Sequence, residues 1–260
     1  MITSSPANVL LGRGKLLFDR LTSAGASTGL RDLESCEELS IETTEERVKI
    51  YDYSKASGPL LSDAVTRRET TVTIKLSSHA AANVALALAG DTTGFTQTSG
   101  SVTDESVTTS VIKGRVYQTA GRSITAVTVK KSPSTVLVLG TDYDILDAKL
   151  GLIHIREGSV TVVDGDTILV TYTRTAITTP GLDRVLGQTA GKIIGKLVYV
   201  GDPTDGIAYD LEVWKLSLMP EGGLGLISTG EYSTYQLKGF VLSDEANHPT
   251  DPYYHLTKRS

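Results

Sequence analysis

One cysteine, Cys36, serves a chain of 260 residues. A single thiol can neither close a disulfide within the chain nor build a thiolate zinc site. Stability must come from buried apolar surface, and a chain of this length has enough of it. The lone thiol also fits a reducing compartment. Aromatic side chains are scarce, with one tryptophan and three phenylalanines, and only the eleven tyrosines offer a reserve for stacking. Positive charge is not in excess. Twenty-five Lys and Arg against 30 Asp and Glu give a net charge of −5 and a pI near 5.4. A protein that grips nucleic acid needs a cationic face, so specific DNA or RNA binding is not expected. No run approaches the roughly 20 apolar residues of a membrane helix. Residues 1–11 lack the basic start and long apolar core of a secretory signal. The expectation is a cytoplasmic product with no membrane association.

What the chain has is Thr, Val, Ile and Tyr in short runs broken by Gly, Asp and Pro. That pattern predicts many short strands. In R-E-T-T-V-T-I-K-L, Val72, Ile74 and Leu76 alternate with Thr71, Thr73 and Lys75, a period of two that puts the apolar set on one face. Leu39 and Ile41 alternate with Ser40 and Glu42. Val48 and Ile50 alternate with Arg47 and Lys49. A mixed strand signal covers 9–21, and longer strands are expected at 193–200, 208–219 and 232–242. Between 111 and 176, runs such as G-T-D-Y-D-I and G-L-I-H-I with Gly-Asp turns predict a small inserted β module. The flanking segments 1–110 and 177–260 then form one discontinuous domain. The polar stretch 91–109 reads as a flexible connection, and 251–260 as an extended tail.

One helix is predicted, over 79–89. Ser77 or Ser78 is its candidate N-cap, and Gly90 stands where a left-handed residue closes a helix. Its residues are nearly all Ala, Val and Leu, so it needs cover on nearly every side. The connection 52–67 is much longer than an ordinary hairpin loop of about 2–5 residues. It holds Leu60, Leu61 and Val65. Two readings stand side by side: a packed Ω-loop over the core, or an arm that orders against a partner.

Candidate chemistry is thin. Gly12 and Gly14 precede Lys15, but a phosphate loop needs G-x-x-x-x-G-K-[ST] opening a helix, and Leu16, Leu17 and Phe18 continue as strand. Glycines in a strand mark a bulge or a close backbone approach. His79, His154, His248 and His255 have no helical metal spacing. His154 should face away from Ile153 and Ile155. No G-x-S-x-G elbow supports a nucleophile. Asp142 with Asp144, and Asp164 with Asp166, are better explained by turns than by a calcium loop. Cys36 reads as a small, partly buried side chain. No catalytic, cofactor or metal site is expected, and the reading is non-enzymatic.

The order of features resembles the tail-tube (major tail) proteins of siphophages. G-R-G-K-L-L-F-D-R-L and T-G-L-R-D-L-E-S-C-E-E-L-S-I are similar to their first paired strands. T-V-T-I-K-L-S-S-H-A-A-A-N-V-A-L-A-L-A-G is similar to their strand-into-helix unit. L-V-Y-V-G and V-W-K-L-S-L-M-P-E-G-G-L-G-L-I are similar to their closing strand pair. The middle segment departs from the simplest members and resembles small sandwich modules of phage structural proteins. The resemblance implies a mainly β fold, a tail-tube-type sandwich or barrel with one short α-helix and an inserted β module. It implies a homo-oligomer: hexameric rings stacked into a virion tail tube, assembled in the bacterial cytoplasm. Tape-measure and terminator proteins would be its other partners, and DNA would pass through the lumen without specific binding. The connection 52–67 takes the place of the inter-ring stacking loop, carried by Tyr53, Lys55, Pro59, Leu60, Leu61, Val65 and Arg67. Ala81, Val84, Ala85 and Leu88 take the place of a subunit-contact helix. The alternative from another class is a monomeric β-sandwich that binds carbohydrate or a receptor at a tail tip or cell surface.

Overall fold

The computed structural model describes residues 10–259, apart from the side chains of 179–181. Val9, where the first strand signal begins, lies outside them. In chain order the elements are β1 (Leu10–Leu11), β2 (Gly14–Arg20), β3 (Arg31–Asp32), β4 (Cys36–Tyr51), β5 (Leu60–Leu76), α1 (Ala81–Ala87), β6 (Asp91–Gln97), β7 (Gly100–Thr108), β8 (Val116–Gln118) and β9 (Ile124–Lys131). They continue with β10 (Thr135–Val136), β11 (Tyr143–Asp147), β12 (Leu152–Ile155), β13 (Ile168–Arg174), β14 (Ile177–Leu186), β15 (Ile193–Gly201), β16 (Asp205–Gly206), β17 (Tyr209–Glu221), β18 (Tyr235–Val241) and β19 (Tyr254–Lys258). The fold is mainly β with one short helix, as the strand-forming composition requires.

Two compact units divide the chain. One is Thr93–Arg184, and the other is built from the segments on either side of it. The flanking segments form an eight-stranded antiparallel sheet in the order β3-β2-β15-β17-β18-β5-β4, with β19 added to β17. Alternation decides what this sheet buries. Leu16, Phe18, Val72, Ile74, Leu76, Leu197 and Leu216 join one apolar cluster with Leu86 of α1. The sheet is open, ending at β3 and β4, so no closed barrel forms among the described residues. Gly14 shows why a glycine stands in β2: an added Cβ would lie 2.3 Å from the Val200 carbonyl and 2.7 Å from the Tyr199 ring. That is close backbone approach, as expected, and not phosphate chemistry. Residues 251–259 do not trail away, because β19 pairs with β17 from Val213↔Tyr254 to Tyr209↔Lys258.

The unit Thr93–Arg184 carries a four-stranded sheet, β10-β9-β13-β7, and a three-stranded sheet, β11-β12-β8. Val129, Ile168, Val170 and Tyr172 of the first meet Tyr143, Ile153 and Ile155 of the second in one buried cluster. This is the inserted module, but its boundaries lie outside 111 and 176. The stretch 91–109 is not a flexible connection. It forms β6 and β7, and β7 pairs with β13 through Val102↔Tyr172 and Glu105↔Val170. An edge strand is held by backbone hydrogen bonds, so Thr, Ser and Gly suffice there. β6 pairs with β14 as a two-stranded ribbon.

The helix is shorter than 79–89. Ala80, not a serine, is its N-cap, and no side chain caps it. Ser77 Oγ is engaged with Ser35 Oγ at 2.8 Å, and Ser78 Oγ with Glu34. Both hydroxyls tie the helix approach to the β3–β4 connection. Closure differs too. Ala89 takes the left-handed conformation with φ of 46°. Gly90 is required for space, since a Cβ there would lie 2.1 Å from the Leu186 carbonyl oxygen.

Candidate assembly surface

β4 and β5 pair along their whole length, from Cys36↔Leu76 to Tyr51↔Leu60. β18 pairs with β5 only over residues 71–76. Beyond Thr43 and Thr70, whose hydroxyls meet at 3.0 Å, the hairpin therefore has no third strand. Eight residues of β4 remain, a two-stranded arm of roughly 27 Å at strand rise. The expected long loop 52–67 is corrected by this register. Only 52–59 is a turn, and Leu60, Leu61, Val65 and Arg67 lie in β5. The Ω-loop reading fails, because Leu60, Leu61 and Val65 cover no core and are 51%, 64% and 40% exposed.

The arm is stiffened along its axis by charge. Arg47 binds Glu45 at 2.6 Å and Asp63 at 2.7 Å, and Arg68 Nε reaches Glu45 at 2.8 Å. Hydrogen bonds from Arg47 and then Arg68 hold the Glu45 carboxyl below its ordinary range. The Arg47 guanidinium is pushed up chiefly by its bond to Glu45, then by Asp63. These groups are solvated, so they contribute direction and register more than stability. At the tip, Asp52 N–H donates to the Pro59 carbonyl at 2.8 Å, and the Asp52 carboxylate accepts from Ser54 N–H at 2.9 Å. Lys55 lies 3.8 Å from Asp52, and Tyr53 is 87% exposed.

The apolar face of β4 changes side along its length. Near the sheet the odd residues Leu39 and Ile41 are opposite Ile74 and Val72; Leu39 packs against the core, and Ile41, further out, is already 39% exposed. Thr43, Glu45 and Arg47 continue that row as polar residues. The apolar residues of the arm are then the even ones, Val48 and Ile50, opposite Ala64 and Ser62. Both are more than half exposed. The register shifts between Glu46 and Arg47, but the extra residue is Thr66 on β5; alternation therefore continues along β4, and Val48 and Ile50 lie on the face opposite to Leu39 and Ile41. Nothing else in the described residues covers them.

The expected contact helix is mostly committed to its own unit. Ala85 is buried, Ala81 and Val84 are half-buried, and Leu88, just past the helix end, is exposed. Asn83 is fully buried. Its Nδ2 donates to the Leu33 carbonyl at 2.9 Å, and Arg31 donates to its Oδ1 at 2.6 Å. Ala85 cannot serve a subunit contact, and only Leu88 presents substantial free surface.

The acidic turns are structural. Asp142 is buried and accepts from Ser159 Oγ at 2.6 Å and Val138 N–H at 2.9 Å. Asp144 pairs with Arg156, and Asp166 with Lys131. Asp164 accepts from Lys113 N–H at 2.9 Å. No group of three or more potential metal ligands occurs among the described residues. His154 is half-buried beside Asp144 at 3.9 Å, and His79 is exposed before the helix begins. Cys36 is half-buried, and burial pushes its thiol up, which suits a packed side chain rather than a nucleophile. Trp214 is no open stacking platform. His248 is stacked on its ring at 3.7 Å, and Lys196 Nζ lies 4.8 Å from its centre. No helix is long and apolar enough to cross a membrane among the described residues.

Fold and surface together define a mainly β protein with an open antiparallel sheet, an inserted β unit and a projecting hairpin. The chain belongs to the family described as protein of unknown function UCP028589, whose model matches residues 9–253. No curated protein matches it.

Proposed function

We propose that this protein is a structural subunit of a phage tail tube, assembling into stacked, hexameric rings whose lumen conducts DNA. In this reading it acts in the virion tail beside tape-measure and terminator proteins and catalyses no reaction. The observation that carries it is the β4–β5 arm. A two-stranded projection whose outer face bears Val48 and Ile50, with Leu60, Leu61 and Tyr53 towards its tip, has apolar surface its own fold leaves in water. Exposed edges and apolar arms are aggregation hazards unless a partner closes them. A neighbouring ring supplies that partner. The acidic balance of the chain is in keeping with a lumen that repels phosphates.

The test is negative-stain imaging of concentrated protein beside a variant in which residues 46–66 are replaced by Asn-Gly. Wild-type protein should form rings and tubes. The shortened variant should keep the near-ultraviolet circular dichroism of the wild type and form no stacks. Tubes of normal length from the shortened variant would remove the arm from the mechanism. A wild type that stays monomeric at every concentration and binds glycans would replace this reading with that of a surface-binding module.

A further inference from the structure

Unit Thr93–Arg184 holds nine Lys and Arg and nine Asp and Glu, so the net charge of −5 belongs entirely to the flanking segments. Within this neutral unit the cations are not evenly spread. An open cleft of about 840 Å³ is lined by Phe95, Gln97, Ala120, Arg174 and Ile177, among others. The Arg122 and Arg184 guanidinium carbons lie 5.3 and 4.5 Å from the centre of the Phe95 ring. Arg174 lines the same cleft as Phe95, so two arginines lie against the ring and a third borders the cleft that the ring faces. Arg20, Arg47, Arg156 and Arg259 have carboxylate partners in Asp91, Asp63, Asp144 and Asp210. Arg122, Arg174 and Arg184 have no ion pair among the described residues.

Two further features mark the cleft as built. The Nε of Arg174 is buried with no hydrogen-bond partner, and leaving a buried donor unpaired is costly. The base of the cleft is also fixed. Gln97 Nε2 donates to the carbonyls of Arg122 and Thr175 at 2.7 and 2.8 Å, and its Oε1 accepts from Arg122 N–H at 2.9 Å. Glu105 accepts from the Tyr172 hydroxyl and from Ala120 N–H. A guanidinium resting on an aromatic ring keeps its N–H edge free for two parallel hydrogen bonds to an oxyanion.

We propose that this cleft is a phosphate-binding site in which Arg122, Arg174 and Arg184 hold a phosphate group by bidentate hydrogen bonds around Phe95. Phosphate fits better than a single carboxylate, because several cations around one cleft match a group with several oxygens and more than one charge. The group can belong to a small phosphorylated compound or to a phosphodiester polymer. The site does not depend on the tail-tube reading.

Calorimetric titration of the full chain with inorganic pyrophosphate and with a glycerol-phosphate oligomer tests it. Saturable binding should be seen, and the Arg122→Lys/Arg184→Lys variant should bind at least tenfold more weakly although its charge is unchanged. Arg184 is exposed, so Arg184→Lys alone serves as a control that cannot act through folding, and it should also weaken binding. Tighter binding of the oligomer assigns the site to a polymer, and tighter binding of pyrophosphate to a small phosphate compound. Absence of saturable binding to both, or equal binding by the lysine variants, overturns the proposal.

Discussion

Tyr235 is held protonated well past the usual tyrosine range. Its hydroxyl donates to the Ser78 carbonyl at 2.6 Å, and its ring is buried beneath the helix approach. Burial pushes its pKa up to about 12, partly opposed by the nearby Arg31 guanidinium. The folded protein keeps this proton longer than the unfolded chain, whose tyrosine ionises near pH 10. Stability from this group is thus complete below pH 10 and is lost as pH rises from there through 12. The slope expected across that window is about 1.4 kcal/mol per pH unit. Tyr143, Tyr172 and Tyr199 are also raised by burial, so the wild-type curve contains their parts as well. Urea midpoints of wild type and Tyr235→Phe measured from pH 8 to 12 isolate the one residue. The variant should be weaker by about 1 kcal/mol at pH 8 through the lost hydrogen bond, and the gap should shrink as pH rises. Parallel curves would show that Tyr235 is not held neutral by its surroundings.

At the scale of elements, the hairpin separates what a sequence can reveal from what it cannot. Val72, Ile74 and Leu76 were readable because one face of β5 meets the core, and burial writes period two into the residues. Past Thr70 no core lies on that face, so residues 60–67 occupy strand positions of β5 without the period-two signal and look like a loop. The signal that remained was the change of parity from Leu39 and Ile41 to Val48 and Ile50. It marks one continuous strand whose apolar face moves to the other side. The helix boundary was less legible for a different reason. Ser77 and Ser78 are good caps by type, yet their hydroxyls are taken by Ser35 and Glu34, and only tertiary structure reveals that competition. The arginine cleft was invisible because Phe95, Arg122, Arg174 and Arg184 are far apart in the chain. The parity change also yields a prediction. Val48→Glu/Ile50→Glu should alter folding stability by no more than about 0.5 kcal/mol, since both residues are exposed. The same double change should abolish stacking of rings in sedimentation and imaging. A loss of several kcal/mol on unfolding would mean the outer face is packed within the monomer.

At the scale of the molecule, the question is whether the chain is one cooperative fold or two. The unit Thr93–Arg184 has its own buried cluster, with Val111, Val129, Ile155, Ile168 and Tyr172 at or below 1% exposure. The flanking segments have a separate cluster drawn from β2, β5, β15, β17 and β18. The chain leaves through β6 and returns through β14, and these two strands pair. Entry and exit are therefore adjacent, the arrangement in which a domain inserts without stretching its host. Each part holds what folding requires, so each should fold alone. Residues 93–184 expressed separately should unfold in one cooperative transition. A chain in which 93–184 is replaced by a short Gly-Ser linker should keep the eight-stranded sheet and still form tubes, since the arm and its outer apolar face lie wholly in the flanking segments. Calorimetry of the two pieces and imaging of the shortened chain measure both outcomes. A shortened chain that folds but makes no tubes would assign assembly contacts to the inserted unit. One that fails to fold would show that the sheet depends on the insert, against the division drawn from the two cores.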